Sequence, residues 1–152
     1  MTLTAEALHL IHAVPTLGCP FVADWAKRLR QAEIRVQCGL VDEEDFDAAN
    51  LGRSVFDVLA ELKSLPPTPT LSSFTHGDAC LPNFLTHDGR LTGIVDLGRA
   101  GVAHPAQDWA LALRSMRENF GVQAEAALRR QLPSHCDDDN LLHRYRVLDE
   151  LF

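Results

Sequence analysis

Apolar residues recur at helical spacing along most of the chain, and strict alternation is confined to a few short runs. Across residues 2–14, Leu3, Ala7, Leu10, Ile11 and Val14 fall on one stripe, which predicts an amphipathic helix ended by Pro15 and Gly18. Cys19-Pro20-Phe21 turns the chain into a second helix over about 21–37. Its apolar face is Trp25, Leu29, Ala32 and Val36, with Lys27, Arg28 and Arg30 on the solvent side. Ser54 is an N-cap signal for a helix reaching about Lys63, with Val55, Val58, Leu59 and Leu62 as its core stripe. The PPTPT run at 66–70 is a stiff connector, and Leu71 to Thr75 reads as a short strand. Phe84-Leu85-Thr86 and Leu91 to Val95 are β-prone runs on either side of His87-Asp88-Gly89-Arg90, whose Asp-Gly pair signals a hairpin. Three further helices follow. The first enters at Pro105, a favoured first-turn residue, and runs past Trp109, Leu113 and Met116. The second spans Gln123 to Leu132, and the last spans Asn140 to Phe152 with Leu141, Leu142, Tyr145 and Leu148 inward. The pattern predicts an α+β fold, mostly helical, with a small antiparallel hairpin.

Composition changes this picture little. At 152 residues, 46% apolar and 23% charged, the chain is one ordinary globular domain by length. A net charge of −7 excludes the basic footprint of a nucleic-acid binder and suits a cationic ligand. Cys19, Cys38, Cys80 and Cys136 are scattered without metal or disulfide spacing, which predicts free thiols in a reducing compartment. No apolar run approaches the ~18 residues of a membrane span, so the expectation is a soluble, cytoplasmic protein. His9 and His12 lie one helical turn apart with no third ligand in view, and His135-Cys136-Asp137-Asp138-Asp139 sits on a single loop; neither predicts a metal centre.

The chemistry concentrates in HGDACLPNFLTHDGRLTGIVD, residues 76–96. A hairpin between Asn83 and Asp96 returns the chain to its starting point, so both converge with Asp78 at its base. An amide oxygen and two carboxylates suit Mg²⁺, a hard ion that shares its oxygen ligands with substrate phosphates. The order also matches the kinase template H-R-D-x-x-x-x-N followed by D-x-G: His76-Gly77-Asp78, then Asn83, then Asp96-Leu97-Gly98.

HGDACLPN and GIVDLGRAGVAHPAQDWALALRSMREN, with CPF at 19–21, GLVDEEDFD at 39–47 and LDELF at 148–152, closely resemble the aminoglycoside phosphotransferases, the 3′-phosphotransferases above all. The resemblance covers nearly the whole chain. It implies the C-terminal lobe of a protein-kinase-like fold, with the small antiparallel hairpin carrying the catalytic loop. The implied activity is transfer of the ATP γ-phosphate to a hydroxyl of an aminoglycoside antibiotic, with Mg²⁺ and ATP required. Asp78 then positions the hydroxyl and takes its proton, Asn83 and Asp96 hold Mg²⁺, and His76 and Asp108 support the catalytic loop. Asp45, Asp47, Arg99, Arg114, Glu118, Asp149, Glu150 and the Phe152 carboxylate line the substrate side. Composition alone reads the acidic run at 42–50 as a solvated helix start. Negative charge at the end of the last helix opposes the macrodipole, which singles out Asp149 and Glu150. Ala48, His104 and Ser115 stand where relatives carry acids, which bears on substrate preference.

No G-x-x-x-x-G-K-[ST] motif and no Gly-rich loop with a strand lysine occurs; the lysines are Lys27 and Lys63, both on helical stretches. The expectation is therefore residues 1–152 as a C-terminal lobe without the nucleotide-binding N-terminal lobe, weak in turnover by itself and self-associating through the surface that lobe would cover. Two alternatives stand beside it. One is a small-molecule kinase for choline, macrolides or homoserine; the other is a module that binds aminoglycosides or other polycations without turnover.

Overall fold

The computed structural model describes residues 2–66 and 68–152. Among the described residues, besides four single-turn 3-10 helices, are six α-helices and four short strands: α1 Leu3–His12, α2 Trp25–Gln37, α3 Val55–Ser64, β1 Ser73–Thr75, β2 Phe84–His87, β3 Arg90–Ile94, β4 Gly101–Ala103, α4 Ala106–Phe120, α5 Val122–Arg129 and α6 Asp139–Asp149. Four helix starts carry the side-chain cap that their sequence offers. Thr2 accepts from Ala5 N (3.2 Å), Asp24 from Lys27 N (2.9 Å), Ser54 from Asp57 N (3.1 Å), and Asp138 from Asn140 N (2.8 Å). Each such cap is worth about 1 kcal/mol.

The core is organised around α4, buried on almost every side from Ala106 to Met116. Neighbouring helices cover it: α5 and α6 pack on it and α1 touches it. α2 and α3 lie together and both reach α6, while α1 also backs β1 and β3. Trp109, Tyr145, Leu8, Leu62 and Leu151 are among the fully buried side chains.

There are two antiparallel sheets of two strands. β2 and β3 form the expected hairpin, paired from Phe84↔Ile94 to His87↔Arg90. Asp88 and Gly89 at its tip both have positive φ (50° and 71°), the conformation a two-residue I′ turn requires. The second sheet, β1 with β4, was not foreseen, because Gly101-Val102-Ala103 is too short to show a period. Val102 also bridges Val22, so the chain ahead of α2 is extended and α2 begins at Trp25, later than the Phe21 expected from its pattern.

Two expected faces turn out otherwise. In α1 the buried stripe is Thr4, Ala5, Ala7, Leu8 and Ile11, whereas Leu10 and Val14 are exposed. Arg28, expected outside, is only 5% exposed. The connector at 66–70 is neither helix nor strand where described, and residue 67 lies outside the described residues.

Candidate active site

β1 delivers the His76-Gly77-Asp78 loop against the first turn of α4. Asp108, fully buried there, accepts from His76 N (2.8 Å) through Oδ2 and from Gly77 N (2.9 Å) through Oδ1. His12 Nε2, from the end of α1, lies 2.9 Å from the same Oδ2. The His76 ring is fixed by both nitrogens: Nδ1 accepts from Asp78 N (3.2 Å), so Nε2 carries the proton and donates to Val95 O (2.8 Å). A histidine so engaged braces the loop and has no lone pair for a substrate. Gly77 O accepts from Arg99 Nε (3.0 Å), Arg99 Nη2 (2.8 Å) and Gln107 Nε2 (3.2 Å). Asn83 Nδ2 donates to Asp78 O (2.8 Å), and Leu81 N to Ser115 Oγ (3.1 Å). The loop backbone is held throughout, and the half-buried Asp78 carboxylate has Arg99 Nη2 3.9 Å away.

The hairpin closes where the sequence pattern expects. Val95 N donates to Asn83 O (3.0 Å), which seats Asn83 beside the strand that leads into Asp96. Asp96 adopts the left-handed conformation (φ 57°, ψ 55°), a strain on the order of 1 kcal/mol for a residue with a Cβ. Among the described residues, neither the exposed Asp96 carboxylate nor Asn83 Oδ1 has a hydrogen-bond partner. Two oxygen donors left free by the protein fit a hard cation such as Mg²⁺.

The expected substrate residues fall into two groups. Asp149 binds both Arg99 and Arg114, the second at 2.5 Å, and Arg114 also pairs with Asp47 at 3.1 Å. Burial works to lower the Arg114 pKa, but Asp149 and Asp47 outweigh it and leave it raised. Glu150 accepts from Asp47 N (2.9 Å) and Asn50 Nδ2 (2.8 Å); burial raises its pKa. The Phe152 ring lies under the guanidinium groups of Arg28, Arg35 and Arg99, and its main-chain oxygen accepts from Arg35 (2.7 Å). These residues are tied to one another. Asp45 and Glu118 are exposed and, among the described residues, have no side-chain partner. Glu118 lines, with Asp47, Arg114 and His143, a cleft of about 520 Å³.

Three residues that hold the loop escaped sequence reasoning. Arg28 hydrogen-bonds Arg99 O, Gln107 reaches Gly77 O, and His12 meets Asp108. Arg28 sits one helical turn from Trp25 and Ala32, on the apolar face, and that placement was the available signal. His12 and Gln107 gave none.

The family model described as "Phosphotransferase enzyme family" matches residues 1–148. The chain is 37% identical over 148 residues to an aminoglycoside 3′-phosphotransferase of Escherichia coli, covering 97% of this chain and 54% of that protein. It spans about half the length of the curated relatives it matches. Among solved structures, an aminoglycoside-3′-phosphotransferase of type VIII superposes with a TM-score of 0.85 at 33% identity, over 99% of this chain and 59% of the other. The aminoglycoside phosphotransferase APH(3″)-Id of Streptomyces rimosus, in complex with ADP and streptomycin, superposes at 0.84 with 24% identity, over 99% and 61%. These helices and hairpin therefore form part of a protein-kinase-like fold, and the chain belongs to the phosphotransferase enzyme family.

Proposed function

We propose that these residues are the catalytic-loop and acceptor-binding lobe of an aminoglycoside O-phosphotransferase that moves the γ-phosphate of ATP to a drug hydroxyl, and so confers resistance. The observation that carries this is the selective freedom of three groups. The loop around them is tied down by Asp108, Arg99 and Gln107, yet Asn83 Oδ1 and the Asp96 carboxylate have no hydrogen-bond partner among the described residues, and the Asp78 carboxylate is engaged only loosely, with Arg99 Nη2 3.9 Å away. Asp78 orients the acceptor hydroxyl and accepts its proton. Asn83 and Asp96 would hold Mg²⁺, which when bound neutralises the charge on the phosphate oxygens. Asp45, Asp47, Arg114, Glu118, Asp149, Glu150 and Phe152 form the drug-facing side, with Arg99 joining it to the loop. His76 and Asp108 hold the loop. The drug and nucleotide named for relatives support the choice of substrates.

A second reading, a binding module without turnover, is favoured by the absence of a phosphate-cradling glycine loop from these residues. Calorimetric titration of kanamycin, with ADP release followed in the same sample, separates the two. This chain alone should bind the drug and turn over little. In any active form of the protein, Asp78→Asn should lower turnover by 10² or more at nearly unchanged affinity; near-normal phosphorylation would remove Asp78 from the mechanism. The reading includes self-association through exposed Leu85, Val95 and Leu97 near Asp96, which a monomer in concentrated sedimentation runs would contradict.

A further inference from the structure

Two buried polar groups behind the catalytic loop, Arg28 Nε and Gln107 Oε1, have no hydrogen-bond partner among the described residues. Each residue is 5% exposed. Both line the same small space, about 10 Å³, shared with Arg99, Leu111, Leu148 and Asp149. Leaving a buried donor or acceptor unpaired is unfavourable, and native interiors almost never do so. The orientation of the Gln107 amide is fixed by its other end. Nε2 donates to Gly77 O at 3.2 Å, and turning the amide over would set two oxygens against each other. Oε1 is therefore an acceptor left over, just as Arg28 Nε is a donor left over.

A space of this size takes one water molecule and nothing larger. Phosphate does not fit, although Arg28 and Arg99 together would attract it. We propose that the cavity is a binding site for one internal water, which accepts from Arg28 Nε and donates to Gln107 Oε1. The water closes a ring of hydrogen bonds. Gln107 Nε2 donates to Gly77 O, Arg99 donates to that same oxygen, and Arg28 Nη2 donates to Arg99 O. The ring ties the His76–Asp78 loop to the Leu97–Arg99 turn, through α2 and α4. Asp78 directly follows Gly77, and Asp96 leads into the turn that ends at Arg99, so one water helps hold both acidic positions in register. Asp149 is the carboxylate in the lining and the acceptor for the water's second hydrogen. Tyr145 also lines the space, and its buried hydroxyl is likewise without a hydrogen-bond partner among the described residues, but it faces Thr68 and is not counted in the ring.

The test needs no enzyme assay. Oxygen-17 magnetic relaxation dispersion counts long-lived internal waters in solution. The Gln107→Met variant, similar in volume but without the acceptor, should hold one fewer than the parent protein, and Arg28→Met likewise. A high-resolution crystal structure of the parent should show one density peak within hydrogen-bonding distance of both Arg28 Nε and Gln107 Oε1. If the variants fold poorly, that density decides alone. An unchanged water count in both variants would overturn the proposal. So would an empty cavity with Arg28 Nε bonded to a protein group.

Discussion

Gly77 shows how tightly individual atoms are committed around Asp78. Its φ is +82°, and a Cβ placed there would collide with Arg99 O and come within 2.5 Å of Arg28 Nη2. Gly77→Ala therefore meets both backbone strain and a clash with a carbonyl that cannot withdraw, because Arg28 holds it. The expected loss is about 2–4 kcal/mol, read as a lower melting temperature; a stability within about 0.5 kcal/mol of the parent would show that the loop is slack. Cys80, in the same loop, is constrained differently. Burial, and after it the carboxylates of Asp78 and Asp149, pushes its thiol up to about 12. Burial and Asp108 do the same to Cys136. A raised pKa leaves little thiolate near pH 8, and thiolate is the reactive form. Iodoacetamide should accordingly label exposed Cys38 and spare Cys80 and Cys136 in the native protein. Mass spectrometry that found Cys80 modified as fast as Cys38 would contradict this.

Whole elements explain why parts of this structure were legible in the sequence. The β2–β3 hairpin was visible because its turn chemistry, Asp88-Gly89, is local; the turn sets the register next to it, and an irregularity between Leu85 and Thr86 shifts it by one residue beyond. Its closing pair, Asn83 and Asp96, came with it. Helix α3 was visible through Ser54 and a clean stripe. By contrast β4 depends on partners far along the chain, β1 and Val22, and three residues carry no period of their own. The role of α2 was hidden for a related reason. Arg28 looks like one more surface cation until Arg99 O and the Phe152 ring are placed opposite it. The charges ending α6 stand out by their conflict with the helix dipole, and the structure supplies a structural explanation for one of them, since Arg99 and Arg114 neutralise Asp149. Asp149→Asn removes the anion between two partly buried arginines. It should cost about 2–3 kcal/mol, measurable by chemical denaturation, and a stability equal to the parent would mean that these pairs contribute nothing.

At the scale of the molecule, the net charge of −7 does not translate into a uniformly available acidic face. Asp47, Asp149 and Glu150 are each matched internally, by Arg114, by the Arg99–Arg114 pair, and by Asn50 with the Asp47 amide. Substituting Asp149 or Glu150 therefore perturbs the fold and any ligand together, and a loss of drug binding there would be ambiguous. Asp45 and Glu118 separate the two effects, because both are exposed and neither has a side-chain partner among the described residues. If the exposed acids Asp45 and Glu118 help receive an aminoglycoside, the Asp45→Asn/Glu118→Gln double variant should bind kanamycin roughly three- to thirty-fold more weakly, the range expected for exposed charge pairs. Its melting temperature should match the parent's. The same physics sets the salt response: the screening length falls from about 30 Å at 0.01 M to about 8 Å at 0.15 M, so affinity should drop steadily across that interval. The drop should be shallower in the double variant, which has fewer charges to screen. Titration calorimetry at several salt concentrations reads both effects at once. Binding that ignored salt and the double substitution alike would place the polycation elsewhere on the molecule, and would leave the catalytic loop as the remaining physical support for the aminoglycoside reading.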